Sequence, residues 1–198
     1  MKNFHGLLIA LCPRPVKIAI KRLVQNTQET LLYRTSKKSY ETIGVVRHIV
    51  FVCKGNICRS AFAEYYLKSI LPKGKFNIES CGLDVDQGSY SPPEAVHIGK
   101  KFGIQLDKHI SKGTATCTLQ NADLIIPMEY GQYIRLVAML PGHESKIRLL
   151  RDFASWPDRL ICNINDPFGL GEDEFLRCFT KITIIIDRLI RQMPPAHI

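Results

Sequence analysis

No apolar run in this sequence reaches the roughly 18 residues that mark a membrane-spanning helix. There is no C-x-x-C pair, no internal repeat and no low-complexity tract. Cysteines stand at 12, 53, 58, 81, 117, 162 and 178, an odd number at irregular spacing. That pattern fits neither a zinc site nor a secreted disulfide framework. The six histidines are scattered, so no metal or other cofactor is expected. Lys2 and the stretch Leu7–Leu11 resemble a short export signal. The apolar core is brief, however, no small-residue cleavage site comes after it, and Leu11 before Cys12 argues against lipoprotein processing. A reducing, cytoplasmic setting is the expectation.

What is present is an ordinary globular composition, 45% hydrophobic and 23% charged, in 198 residues. The formal charge of +9 is uneven. Residues 1–47 hold nine Lys/Arg against two Asp/Glu, leaving eighteen against sixteen for the rest. The basic character therefore belongs to the N-terminal segment, and the remainder of the chain gives no signal for nucleic acid. Residues 1–46 read as a basic, partly helical extension, with a helix over Pro15–Leu32 and a polar linker over Arg34–Glu41. They pack on the next domain or stay flexible. A weak contact with an acidic partner or an anionic membrane is the functional alternative.

Residues 47–198 read as one α/β domain. Ile49-Val50-Phe51-Val52 is wholly apolar, as a strand buried on both faces requires. Ala63, Leu67, Ile70 and Leu71 recur at helical spacing before Pro72. Phe76–Ser80 is a weak second strand. Pro92 and Pro93 open a helix carrying Ala95, Ile98, Gly99 and Phe102, and Gly103 closes it. Leu124-Ile125-Ile126 is a third strand and Ile147–Leu150 a fourth. Phe175, Cys178, Phe179, Ile182, Ile185, Ile186 and Leu189 form one face of a final helix. This alternation predicts a three-layer α/β/α fold around a four-stranded parallel sheet.

The segment Val52-Cys53-Lys54-Gly55-Asn56-Ile57-Cys58-Arg59-Ser60 lies between the first strand and the first helix of that domain. An open α/β sheet puts its ligands at the carboxyl end of a strand. Loop amides and the helix N-terminus suit an anion there. A nucleophilic Cys53 needs neighbours that favour its thiolate. Arg59 has the planar fork that grips two phosphate oxygens. Gly55 and Asn56 tolerate the left-handed backbone of a tight loop. Ser60 is placed to hydrogen-bond the sulfur.

The string V-C-x-G-N-I-C-R-S resembles the phosphate loop of the low-molecular-weight protein tyrosine phosphatases. The likeness runs over about residues 47–193 and takes in Glu79-Ser80-Cys81-Gly82, Gly103-Ile104 before His109, Ile126-Pro127-Met128-Glu129 and Asp166-Pro167. It implies a phosphomonoester hydrolase that acts on phosphotyrosine proteins through a phosphocysteine at Cys53. Arg59 and the loop Lys54, Gly55, Asn56, Ile57, Cys58 and Ser60 would bind phosphate. Asp166, by itself only part of an Asp-Pro turn, becomes the general acid and base. Ser80 and His109 would support Asn56. Cys58 would pair reversibly with an oxidised Cys53.

Departures from the family bear on substrate. Leu83 to Gly88 lacks the aromatic that walls a tyrosine slot, near Asp86, and Tyr90 is the nearest candidate to replace it. Phe168 comes after the Asp-Pro where tyrosines are common, and remains able to stack on a flat ring. Ile57 stands where a threonine goes with phosphoarginine specificity, which favours tyrosine. Lys54 occupies a rim position that is often apolar. Two alternatives stay open at this point. One is a thiol-dependent arsenate reductase of the same fold, although Cys81, Cys117, Cys162 and Cys178 suggest no close late pair. The other is a phosphoprotein-binding module without turnover.

Overall fold

The computed structural model describes residues 14–36 and 44–193. The Leu7–Leu11 stretch and the linker residues after Ser36 lie outside these residues; Arg34–Ser36, read as the start of that linker, are helical. Three strands, β1 (His48–Cys53), β2 (Asn77–Gly82) and β3 (Leu124–Pro127), form a parallel sheet in the order β2-β1-β3. The central strand explains its own sequence. Ile49 to Val52 are completely buried, with Ile49, Phe51 and Cys53 in one core and Val50 and Val52 in another. A strand covered on both faces has no solvent side to carry polar residues.

Among the described residues five helices supply the cover: α1 (Arg14–Ser36), α2 (Arg59–Ile70), α3 (Pro93–Lys101), α4 (Tyr130–Met139) and α5 (Glu172–Gln192). Phe62, Ala63 and Leu67 of α2, Ala95 and Ile98 of α3 and the apolar face of α5 share the first core. Tyr133 and Leu136 of α4 share the second with Tyr33 of α1. The three-layer α/β/α arrangement expected from the sequence is present.

The expected fourth strand is not. Ile147 makes a single parallel bridge to Ile125, and the Arg148 N–H donates to the Ile125 carbonyl at 2.9 Å. The ladder stops there because the Leu149 N–H points to the Tyr33 hydroxyl and residues Leu150–Phe153 wind into a 3-10 turn. The sheet among the described residues therefore has three strands. β2 runs two residues past the expected Ser80, to Gly82, where it meets the loop after β1. Helix α4 had no reading in the sequence. It starts with a capping box in which Glu129 and Gln132 satisfy each other's backbone N–H groups. Gly103 ends α3 at φ +73°, as expected.

The final helix matches its sequence reading residue for residue: Phe175, Cys178, Phe179, Ile182, Ile185, Ile186 and Leu189 are all buried. Glu172, Asp173 and Glu174 crowd its first turn, where carboxylates complement the helix dipole. Phe179 stacks on Phe62 of α2 with ring centroids 3.8 Å apart and meets Phe175 and Phe102 edge-on. This stack ties α5 to the helix that leaves the Cys53 loop. Phe179→Ala should therefore lose about 3–5 kcal/mol, read as a lower urea midpoint at unchanged slope. A loss below about 1 kcal/mol would show that the cluster closes over the gap.

Candidate active site

The loop Lys54–Cys58 turns the chain from β1 into α2. Its tightest point is Asn56, which has φ +51° and is fully buried. Sequence reasoning shared the left-handed backbone between Gly55 and Asn56, but Gly55 does not adopt it. The strain falls on Asn56 because its side chain is locked from every direction. The Lys112 N–H donates to Asn56 Oδ1 at 2.9 Å, which fixes the orientation of the amide. Asn56 Nδ2 then donates to Ser60 Oγ at 2.9 Å and to Ser80 Oγ at 2.7 Å. His109 Nε2–H donates to the Asn56 carbonyl at 2.7 Å. The three side chains expected to support one another, Asn56, Ser80 and His109, are brought together.

Cys53 Sγ is the focus of the loop and is almost wholly buried. The Asn56 N–H donates to it at 3.2 Å, and Ser60 Oγ lies 2.9 Å away. With Cys53 as the thiolate, Ser60 must be the donor of that contact, and the sulfur is a nearer acceptor for its proton than the Cys81 carbonyl at 3.4 Å. Two hydrogen-bond donors thus converge on Sγ, the arrangement that stabilises negative charge there. Cys58 begins α2 as its N-cap and is a free thiol. Burial, then the charges of Asp166 and Cys53, push its proton affinity far up, so it stays neutral.

Arg59 is 1% exposed, and its charge is fully paired. One terminal nitrogen donates to Glu129 Oε1 at 2.7 Å and to the Ile164 carbonyl at 2.8 Å. The other donates to Asp166 Oδ2 at 2.6 Å. Burial works against the cation, but Glu129, Cys53 and Asp166 together overrule it and keep the guanidinium charged. Its Nε–H is buried with no partner. Asp166, more than 110 residues after Cys53 in the chain, thus arrives beside the loop. Its carboxylate is half-exposed, and its Oδ1 accepts the Phe168 N–H at 3.2 Å.

Phe168 and Tyr90 are both exposed, at 60% and 67%, and Lys54 points to solvent. Ile57 is half-buried and packs on the first core. Four residues of the site escaped sequence reasoning. Glu129 lies in the Ile126–Glu129 string but had no role there. Glu64, 3% exposed, accepts the Ser80 hydroxyl and pairs with Lys68. Its only sequence signal is a carboxylate on the inner face of α2, one turn after Ser60. Gly82 has no room for a side chain: a Cβ would stand 2.7 Å from the Lys54 carbonyl and 2.9 Å from the Asn56 nitrogen. The residues after it hold the loop, with the Leu83 and Asp84 N–H groups donating to the Cys53 and Lys54 carbonyls. Asn163 is the fourth, beside the segment that carries Asp166. Cys81 and Cys117 were not expected to pair, yet they are neighbours: Cys117 Sγ donates to the Ser80 carbonyl at 3.4 Å, and the adjacent Cys117 together with burial pushes the Cys81 thiol far up.

Burial holds the His109 imidazole below its ordinary value near 6.5, against the pull of the Asn56 carbonyl. The unfolded chain therefore takes up this proton at a higher pH than the folded one. The contribution is intact above about pH 6.5 and is lost as the pH falls below it. His109→Gln, which keeps a donor for Asn56, should flatten that limb of a stability profile measured by urea unfolding between about pH 7 and 5. Parallel profiles for the two proteins would contradict this.

The family model described as low molecular weight phosphotyrosine protein phosphatase matches residues 48–195. The low molecular weight protein-tyrosine-phosphatase Wzb of Escherichia coli strain K12 is 32% identical over 149 residues, covering 75% of this chain and 94% of the relative. A protein tyrosine phosphatase from Entamoeba histolytica is similar in structure, with a TM-score of 0.67 and 28% identity over 74% of this chain and 96% of that one. So is the YwlE arginine phosphatase from Geobacillus stearothermophilus, with a TM-score of 0.66 and 27% identity over 74% and 92% of the two chains. Helix α1 lies outside the matched residues.

Proposed function

Because the chain belongs to the low molecular weight phosphotyrosine protein phosphatase family, we propose that it hydrolyses phosphotyrosine in proteins through a phosphocysteine at Cys53. The observation that carries this reading is the single cluster in which Arg59 lies beside the Cys53 loop and pairs with Asp166 at 2.6 Å. A phosphate dianion entering the loop meets the amides, the start of α2 and the unpartnered Arg59 Nε–H. Arg59 then turns from Asp166 to the phosphate oxygens, and Asp166 is free to act on the leaving group.

The reaction has two steps. The Cys53 thiolate attacks phosphorus, the bond to the leaving oxygen breaks, and Asp166 gives that oxygen a proton. Water then attacks phosphorus, Asp166 takes a proton from it, and the P–S bond breaks to return the thiolate and inorganic phosphate. Arg59 and the loop amides balance the charge on the equatorial oxygens in both steps. Ser60 stabilises the sulfur as it leaves. Asn56, held by Ser80 and His109, keeps the loop in its strained shape. A nucleophilic thiol must stay reduced, which fits the cytoplasm.

The exposed Phe168 is the ring available to stack on tyrosine. The likeness to an arginine phosphatase makes phosphoarginine the comparison substrate. The arsenate reductase reading gains a thiol pair in Cys81 and Cys117. At 0% and 9% exposure they are shielded from an external reductant.

Cys53→Ser should abolish turnover of phosphotyrosine peptides. Asp166→Ala should slow it by about 10²–10⁴-fold while sparing inorganic phosphate inhibition. Phosphotyrosine peptides should exceed phosphoserine and phosphoarginine peptides in kcat/KM. Equal turnover by Cys53→Ser would exclude the mechanism, and a preference for phosphoarginine would reassign the substrate.

For the basic segment 1–46 we propose contact with anionic lipid, supported by the exposed Leu23, Val24 and Leu31 of α1. The full chain should sediment with anionic vesicles and not with neutral ones. Equal sedimentation with both, or none, would contradict this.

A further inference from the structure

Helix α1 precedes the family domain, yet its inward face ends at the segment that carries Asp166. The Cys162 N–H donates to Thr30 Oγ1 at 3.1 Å. Asn163 Nδ2 donates to Asn26 Oδ1 at 2.8 Å and to the Glu29 carboxylate. Asn163 Oδ1 in turn accepts the Tyr130 N–H at 2.8 Å, at the start of α4. The whole amide of Asn163, 6% exposed, is thus committed, its two protons to α1 and its oxygen to α4.

The next residues reach Arg59 directly. The Ile164 carbonyl accepts from Arg59 at 2.8 Å, and Asp166 Oδ2 accepts from it at 2.6 Å. Gln25, Asn26 and Glu29 also form one wall of a cavity of about 270 Å³ whose other wall includes Glu129, Asn165 and Asp166. The helix therefore borders the space beside the half-exposed carboxylate as well as gripping the chain that leads to it. Gln25 Nε2 donates to the second Glu29 oxygen at 2.8 Å, which aims that carboxylate at Asn163.

We infer that Asn26, Glu29 and Thr30 are positioning residues of the catalytic unit, acting through Cys162 and Asn163 to set Asp166 against Arg59 and the leaving group. This rests on the reading of Asp166 as the general acid. Removing the two acceptors of Asn163 frees the amide to turn, and the segment after it shifts with it. A displacement of about 1 Å in a catalytic group can cost up to about 10²-fold. The loss has a signature that mere destabilisation lacks. A poor leaving group depends on the proton from Asp166, whereas a strongly acidic phenol departs nearly without it.

The test is kcat/KM, which reports the step that expels the leaving group, across aryl phosphates from phenyl to dinitrophenyl. The full chain is compared with Asn26→Ala/Glu29→Ala, Thr30→Val and the conservative Glu29→Gln and Thr30→Ser. The double variant and Thr30→Val should lose roughly 10-fold or more on phenyl phosphate and little on dinitrophenyl phosphate. Their inhibition by inorganic phosphate should be unchanged, and the conservative variants should restore the wild-type slope. An equal loss on every substrate, or no loss, would overturn the inference. Should the double variant fail to fold, Thr30→Val carries the same comparison. If Asp166→Ala in the wild-type background leaves phenyl phosphate turnover intact, the assignment of the acid fails instead.

Discussion

A buried guanidinium organises this molecule. Arg59 sits at 1% exposure and carries a charge that isolation from water would make very costly. Three partners from two segments distant in sequence answer it: Glu129 beyond β3, and the Ile164 carbonyl and Asp166 in the stretch before α5. The demand for those partners pulls the start of α2, the end of β3 and the loop before α5 to one point. That point lies beside Cys53. The same charge that folds the domain's ligand-binding edge is the charge a transferred phosphoryl group needs.

Around this centre the loop is held by packing as tight as its hydrogen bonding. Asn56 takes a left-handed conformation because Ser60, Ser80, His109 and the Lys112 N–H leave it no other. Gly82 lets the end of β2 press against the Lys54 carbonyl and the Asn56 nitrogen. Glu64 closes the network from beneath by accepting the Ser80 hydroxyl. The loop is thus preorganised by α2, β2 and the His109 segment at once, before any anion arrives.

Much of this was legible in the sequence, for reasons of range. Val52–Ser60 could be read because its chemistry is local: a strand, a nucleophile, an arginine and a helix start come directly one after another. The unbroken apolar run of β1 and the buried face of α5 were legible because burial marks the residues themselves. Asp166 was legible only through likeness to a family, since an Asp-Pro alone reads as a turn. What was not legible depends on contacts made across the fold. The fourth strand was expected from Ile147–Leu150, but Tyr33 claims the Leu149 N–H and the chain turns away. Glu129 and Glu64 look like surface charges until Arg59 and Ser80 are set beside them. Gly55 and Asn56 were read together as the left-handed residues of the loop, but only Asn56 takes that conformation, and the glycine that matters for the loop's shape is Gly82. Helix α1 was read as an appendage; Tyr33 seats it in the second core, and the rest of its grip is polar, through Asn26, Glu29 and Thr30, a contact that hydrophobic periodicity does not register.

The central claim is that the phosphoryl group passes through the Cys53 sulfur. Rapid acid quenching during turnover of an aryl phosphate, with mass spectrometry of the resulting peptides, tests it most directly. The account predicts one added phosphoryl group on the peptide that contains Cys53, accumulating further in Asp166→Ala with an activated substrate and absent from Cys53→Ala. Steady turnover with no phosphoryl group on that peptide, or with the group on another residue, would contradict it.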